Sequence, residues 1–321
     1  MFFDIVDHLL PGDLLVLNDT KVLPANLTGV KEGGSAKIEV LLAKRIEPEG
    51  SSWECLVKPG KRLTVGSRVI FGNNELVGKV LEKLEGGEQI IEFMGDVFGF
   101  MKEHGEVPLP PYIKRVNSPP QSPSLIKRGG SPKGGGELKD RYQTIYAINE
   151  GASAAPTAGL HFTPELLKKL KDKGADLAYI TLHTGLATFK PVYAEKIEDH
   201  KMFSEYYEVP AETVAAIKKA KRVIAVGTTT VRTLESINEL ETNKRMKMEN
   251  GKIVGETDMF IYPGYEFKVV DAMITNFHFP KSTLLMLVSA FAGKEFIFRA
   301  YNEAMERGYR FFSFGDAMLI K

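Results

Sequence analysis

Cysteine is almost absent from this chain: Cys55 is the only one in 321 residues. A single thiol excludes an intrachain disulfide and a cysteine-built zinc cage, and it points to a cytoplasmic setting. Long apolar runs are missing too. A membrane-spanning helix needs about 20 residues, and the longest apolar piece, 283–292, suits a buried helix instead. The start, Met1-Phe2-Phe3-Asp4-Ile5, lacks a basic region ahead of an apolar one, so no secretory signal is expected. Nor is there an excess of one charge: 42 Lys and Arg face 41 Asp and Glu, for a net +1. A dedicated duplex-DNA binder is usually strongly basic. An enzyme acting on structured RNA needs only a local patch, so charge neither supports nor removes nucleic acid. The chain also lacks GxGxxG, a Walker lysine, HExxH and a Gly-x-Ser-x-Gly elbow. These absences argue against a dinucleotide fingerprint, a P-loop, a zinc protease helix and a serine-hydrolase elbow.

What remains is an ordinary globular composition, 43% hydrophobic and 26% charged, long enough for two domains. The stretch AAPTAGLHFT (154–163) followed by PELL is its most informative piece. Thr163 is a good N-cap, Pro164 fits the first helical position, and Glu165 suits the helix dipole. Small residues before the cap allow close approach. His161 and Phe162 therefore flank free amides at a helix start. Two readings stay open on this loop alone: a packed loop with a structural histidine, or the edge of a substrate pocket.

The rest of the chain organises around it. An apolar strand at 14–17 runs straight into Asn18-Asp19-Thr20. From 27 to 100, short β-prone runs alternate with Gly, Pro and Asn turns, which predicts a small β-barrel or sandwich. Lys58, Lys61 and Arg62 form a basic turn there, either a solvated loop or a phosphate contact. VPLPPYI (107–113) reads as a rigid extended connector. Residues 116–139, rich in Ser, Pro, Gly and Lys, read as a disordered low-complexity insertion. After 140, strands and helices alternate. Strands are expected at 177–182, 223–226, 259–262, 266–270, 272–275 and 310–314, and helices at 164–173, 211–221, 231–239, from 283 and 295–307. This alternation predicts an α/β domain with a mostly parallel sheet or a barrel.

One placement recurs. His183, Thr228-Thr229, Asn276, His278 and Asp316 each follow a predicted strand. In α/β folds those C-terminal ends converge on the ligand face, which raises the pocket reading over the structural one. Gly227-Thr228-Thr229-Thr230 before a helix resembles an anion cradle. Physics alone reaches a cytosolic α/β enzyme with a polar, histidine-containing, anion-friendly pocket, and no reaction.

The motifs reach further. PGDLLVLNDTKVLPA (11–25), VPLPPYIKR (107–115), RYQTIYA (141–147), AAPTAGLHFT (154–163), TLHTG (181–185), TFKPV (188–192), AVGTTTVRTLES (225–236), TNFHFPKSTLLMLVSAF (275–291) and YRFFSFGDAMLI (309–320) span nearly the whole chain. Together they closely resemble the S-adenosylmethionine:tRNA ribosyltransferase-isomerase family of queuosine biosynthesis. The resemblance implies an α/β fold with a barrel-like α/β main domain (1–25 and 140–321) and an inserted small all-β barrel domain (26–115). It implies transfer and isomerisation of the ribosyl part of S-adenosylmethionine onto 7-aminomethyl-7-deazaguanine (preQ1) at the tRNA wobble position. Epoxyqueuosine-tRNA, adenine and methionine are the products. S-adenosylmethionine is then a co-substrate, with no resident cofactor and no metal, and the chain is expected to act as a monomer without a membrane.

Within that framework a base near neutral pKa must take the proton beside the sulfonium, which suits histidine. His161, His183 and His278 are the candidates, and their ranking stays open. Asp316 or another histidine would assist departing adenine. Phe162 or Phe189 would stack on adenine or on the flipped base. Thr228 and Thr229 with the helix amides would hold the methionine carboxylate or a tRNA phosphate, and Lys281 and Arg232 would pair with anions. Asn18, Asp19, Tyr142, Gln143, Thr163, Thr188, Asn276 and Ser282 complete the expected substrate-binding set. Three departures from the family pattern stand out. The family's stretch upstream of Phe2 is not present, residues 116–139 replace a short link, and Phe203 and Ala187 replace a usual histidine and glycine. The alternative they suggest is a catalytically impaired tRNA-binding paralogue.

Overall fold

The first strand, β1 (Asp13–Asn18), is buried at all six positions, the signature of a strand covered on both faces. The computed structural model describes residues 1–47, 50–110, 113, 141–185, 196–238 and 246–321. The insertion expected at 116–139, and Ala187, Thr188 and Phe189, lie outside them. The chain divides into two units, Met1–Lys21 with Asp140–Lys321, and Val22–Lys139.

After β2 (Thr20–Val22) come β3 (Asn26–Lys31), β4 (Lys37–Arg45), β5 (Ser52–Lys58), β6 (Arg68–Phe71), β7 (Leu76–Lys83) and β8 (Gln89–Met94). These last six close into an antiparallel barrel in the order β3-β4-β5-β8-β7-β6. Alternate residues point inward, among them Ile38, Val40 and Leu42 of β4 and Trp53, Cys55 and Val57 of β5. Closure removes the free strand edges that a short sheet would expose. Gly29 is required inside it: a Cβ there would lie 2.7 Å from the Ile70 carbonyl oxygen and the Phe71 ring. The basic turn around Lys58, Lys61 and Arg62 is solvent-exposed.

The remaining strands are β9 (Asn149–Ala152), β10 (Asp176–Leu182), β11 (Glu205–Pro210), β12 (Arg222–Val226), β13 (Met246–Glu249), β14 (Lys252–Thr257), β15 (Ala272–Asn276) and β16 (Ala317–Ile320). With β1 they build an eight-stranded sheet, β13-β14-β11-β10-β1-β12-β15-β16, from which β9 is excluded. Successive residues of β1 feed two cores. Leu14 and Val16 join Val231, Leu234, Leu285 and Val288. Leu15 and Leu17 join Ile5, Leu9, Phe162, Leu166 and Leu170. The helix Pro164–Asp172 supplies part of the second core. Thr163 caps it by accepting from the Leu166 amide (3.2 Å), and Gly174 ends it at φ +91°.

Two expectations need correction. The sheet is parallel only across β10, β1, β12 and β15, and its flanks are antiparallel. The hairpin of β13 and β14 extends one flank, and β16 turns back beside β15. The strands expected at 259–262, 266–270 and 310–314 do not form. The reason at 266–270 is one buried side chain. Glu235 accepts from the amides of Lys268 (2.9 Å), Val269 (3.0 Å) and Val270 (3.0 Å) and from the Tyr265 hydroxyl (3.1 Å). Amides held by a carboxyl group are not available for a ladder. At 310–314 the backbone turns left-handed at Phe312, φ +71°, and the strand starts only at Ala317.

Glu235 is 1% exposed, so truncating it strands amides that nothing else satisfies. Glu235→Ala is expected to lower unfolding free energy by about 2–4 kcal/mol in a denaturant titration. A change below about 0.5 kcal/mol would refute its role in holding the 265–270 loop.

Candidate active site

Parallel pairing of β10, β1, β12 and β15 brings their C-terminal ends to one edge of the sheet, where a ligand site forms in such folds. Asn18 closes β1 there. Its Oδ1 accepts from the amides of Thr20 (3.1 Å) and Leu182 (3.0 Å). Its Nδ2 donates to the Leu182 carbonyl (3.1 Å) and to Thr229 Oγ1 (3.3 Å). Asp19 is engaged as well: Oδ1 accepts from Asn149 Nδ2 (3.0 Å) and Thr181 Oγ1 (2.7 Å). These two residues, expected to bind substrate, also join the strand ends to one another.

His183 follows β10 at once. Its Nδ1 lies 2.8 Å from Thr20 Oγ1, and its ring stacks on Tyr206 with centroids 5.9 Å apart. Gly151 lets the ring approach, since a Cβ there would fall 2.7 Å from His183 ring atoms including Nε2. Among the described residues Nε2 has no hydrogen-bond partner. Burial pushes the His183 pKa below its ordinary value, against the opposing charges of Glu208 and Asp19.

His161 sits in a 3-10 turn, Thr157–His161, stacked on Phe2 at 4.7 Å. Its Nε2 lies 3.2 Å from Asn276 Nδ2, and the same amide nitrogen donates to the Phe312 carbonyl (3.0 Å). The carbonyl accepts only a donor, which fixes how the Asn276 amide is turned. Burial again lowers the His161 pKa; the nearby Asp316 carboxylate opposes it and Arg310 adds to it. Both imidazoles are therefore neutral at neutral pH. His278 is set apart by its bonds. Nε2 pairs with Thr275 Oγ1 at 2.8 Å, its amide donates to the Tyr301 hydroxyl (2.8 Å), and desolvation pushes it down to about 4.

Asp316 is no acid at neutral pH. Partial burial alone would raise its pKa, but hydrogen bonds from the Arg310 guanidinium and amide, together with that charge, hold it below the ordinary carboxylate range. It closes the 310–316 loop, and its charge opposes part of the lowering at His161.

Several expected ligand contacts are instead engaged in structure. Arg232 is an ion-pair partner of Glu205, both under 9% exposed. Its Nε donates to the Met259 carbonyl (3.1 Å) and an Nη to that of Thr257 (3.4 Å). Glu205 in turn accepts from the Gly185 amide (3.1 Å), so the pair anchors the loop behind His183. Phe162 is 2% exposed, edge-on to Phe2, and has no face to offer a base. Thr163 is the helix cap. Ser282 caps the helix Thr283–Ala292 and donates to the Phe279 carbonyl (2.7 Å). Tyr142 is 1% exposed against Phe314, while Gln143 is half-buried beside it. Thr228 is buried and Thr229 half-buried at the start of the helix Thr228–Ile237, and Lys281 is exposed. Phe203 is exposed.

Sequence reasoning missed Thr20, Asn149, Gly151, Tyr206 and Phe2, all of which touch a site residue. Thr20 carried a signal, as part of the polar run that ends β1. The others act across 20 or more residues of chain and leave no local trace. Among the described residues no cluster of His, Cys, Asp and Glu is arranged to hold a metal ion. No helix there is long and apolar enough to cross a membrane.

Residues 1–320 match a family model described as queuosine biosynthesis protein. A protein of Staphylococcus epidermidis named S-adenosylmethionine:tRNA ribosyltransferase-isomerase is 50% identical, over 99% of this chain and 87% of its own length. Relatives of the same name from Halothermothrix orenii (53%) and Clostridium kluyveri (51%) match over 100% of this chain and 88% of theirs. A solved structure titled S-adenosylmethionine tRNA ribosyltransferase, from Thermotoga maritima, is 40% identical with a TM-score of 0.48. The match covers 100% of this chain and 86% of that one.

The Arg232–Glu205 pair yields a test that separates anchoring from ligand binding. Arg232→Gln leaves Glu205 buried and unpaired, so unfolding free energy should fall by about 3–5 kcal/mol in chemical denaturation. Dialysis of the folded fraction should show S-adenosylmethionine affinity within about threefold of wild type. Full stability with lost affinity would return Arg232 to the ligand.

Proposed function

The chain belongs to the queuosine biosynthesis protein family, and from that membership we propose that it is an S-adenosylmethionine:tRNA ribosyltransferase-isomerase. It transfers and isomerises the ribosyl moiety of S-adenosylmethionine onto preQ1 at the tRNA wobble position. The products are epoxyqueuosine-tRNA, adenine and methionine. The observation that carries this reading is the pairing of two desolvated, neutral imidazoles at the strand-end edge with full-length identity of about half to enzymes of that name. An impaired paralogue is not favoured, because the relatives that match the full chain at about half identity bear the enzyme's name.

His183 is the base in this proposal. Thr20 holds Nδ1, and Gly151 packs without a side chain against the ring edge that carries Nε2. That nitrogen takes the acidic proton from the ribosyl 5′ carbon beside the sulfonium. The electron pair left behind drives ring opening, and the imidazolium returns the proton to departing adenine. The preQ1 amine then adds to the carbon freed from the ring oxygen and gives up a proton to the neutral imidazole. The carbanion this regenerates beside sulfur closes onto the aldehyde left at the former glycosidic carbon, and the resulting alkoxide breaks the carbon–sulfur bond, closing the epoxide and expelling methionine. His161, tied to Asn276, positions the adenosine. Thr229 and the amides opening the helix Thr228–Ile237 offer hydrogen bonds to an anionic group. In this proposal S-adenosylmethionine is the co-substrate and the chain acts as a monomer. A cytoplasmic location follows from the tRNA substrate.

Adenine release from S-adenosylmethionine should occur with preQ1-bearing tRNA and cease with tRNA lacking that base. Release without tRNA, or none at all, would refute the proposal. His183→Asn should lower kcat by about 10²–10⁴ with co-substrate affinity nearly unchanged. The base works when neutral, so wild-type kcat/KM should fall as pH drops through a value below 6.5 and stay level above it. Persistence of that acidic limb in His183→Asn would assign the base elsewhere.

A further inference from the structure

Among the described residues, the aromatic pair Phe279 and Phe312 is unlike any other in the chain. Their rings are stacked at 8° with centroids 3.5 Å apart. Aromatic pairs left to themselves favour offset or edge-on contact over a face-to-face sandwich. Here the backbone imposes the arrangement. Phe312 holds φ +71°, a conformation a bulky residue rarely adopts and one that concentrates at functional sites. It is pinned on both sides: its amide donates to the Phe277 carbonyl (3.1 Å), and its carbonyl accepts from Gly315 (3.0 Å) and from Asn276 Nδ2 (3.0 Å). Gly315 is required for that turn, since a Cβ would fall 2.4 Å from the Phe311 carbonyl carbon. Phe279 is held through its carbonyl by Ser282, yet remains 39% exposed.

A second observation lies on the same amide. Asn276 is 1% exposed, and its Oδ1 has no hydrogen-bond partner among the described residues. A buried acceptor of this kind calls for a donor. Its sister atom Nδ2 bridges the Phe312 carbonyl and His161 Nε2, so the carboxamide that carries the orphan oxygen ties the backbone of the stacked pair to the imidazole. Lys281, exposed at φ +57°, places a cation two residues from Phe279.

We propose that Phe279 and Phe312 form a stacking platform for a purine-shaped base whose exocyclic amine donates to Asn276 Oδ1. The proposal rests on the enzymatic reading above. That reaction offers two such bases, the adenine of S-adenosylmethionine and the 7-deazaguanine of the tRNA. Both present a flat bicycle and an amino group, and stacking of this kind tolerates either.

The test measures adenine release by the full chain, varying one substrate at a time, for wild type, Phe279→Leu and Phe279→Tyr. Leu keeps apolar bulk and removes the π face. It should raise one KM about ten- to hundredfold, as loss of one base stack does, with kcat within about twofold. Tyr should restore the wild-type KM, a rescue that a merely structural role would not require. A rise confined to tRNA assigns the platform to the tRNA base; a rise confined to S-adenosylmethionine assigns it to adenine. Unchanged KM values for both overturn the proposal. Phe279→Met serves in place of Leu if that variant lacks a thermal unfolding transition. A wild-type chain that releases no adenine defeats the enzymatic reading instead. Equilibrium binding of S-adenosylmethionine and of preQ1 tRNA then decides the platform, and equal affinities in wild type and Phe279→Leu overturn it.

Discussion

The carboxamide of Asn18 is the constraint on which the site depends. It is fully buried and makes four hydrogen bonds, to β10, to the Thr20 amide and to Thr229. With no capacity left over, it behaves as a backbone surrogate. It pairs both the amide and the carbonyl of Leu182 just where the ladder between β1 and β10 runs out. The chain can then turn away from the sheet without orphaned polar groups, which a buried edge cannot tolerate. His183 leaves the sheet from that point, and Thr20 is placed to meet its Nδ1. One amide thus fixes where the two chains part at this end of the sheet.

Around this knot the polar groups fall into two kinds. Asn18 and Glu235 are saturated, and Asp19, Arg232 and Glu205 are tied to partners from other segments. The buried Asn276 Oδ1 has none among the described residues. Unmet capacity inside a saturated frame is what marks a reactive site in a protein interior, because elsewhere burial enforces pairing. The two imidazoles gain their character from the same frame: desolvation keeps them neutral, and the Arg310–Asp316 and Glu208 charges only trim the effect.

The fold class was legible because period and punctuation are local. Short β-prone runs with glycine, proline and asparagine turns between them pointed to a barrel or sandwich, and the barrel formed; the unbroken apolar runs at 14–17 and 223–226 pointed to the strands β1 and β12. The rule that polar residues collect past parallel strand ends led to His183, Thr229 and Asn276. It failed wherever a distant partner decides the outcome. Nothing near Arg232 reveals that Glu205 will take it, and nothing in 266–270 reveals that Glu235 will capture three of its amides. Phe162 and Phe279 look alike in sequence, yet one faces a core and the other solvent. A positive φ at Phe312 has no residue-level signal at all, since phenylalanine is the wrong choice for it.

The central strand carries a cost in time. Asn18 and Leu182 are 164 residues apart, and Asn18 and Thr229 are 211 apart. A ribosome adding about 5–20 residues each second leaves β1 without either neighbour for roughly ten to forty seconds. Through that interval six apolar-rich residues wait exposed while the barrel strands emerge. Contacts of such long range also slow folding after release, since loop closure precedes any gain from pairing. The feature that makes β1 the buried axis of the sheet thus makes it the segment most in need of protection during synthesis.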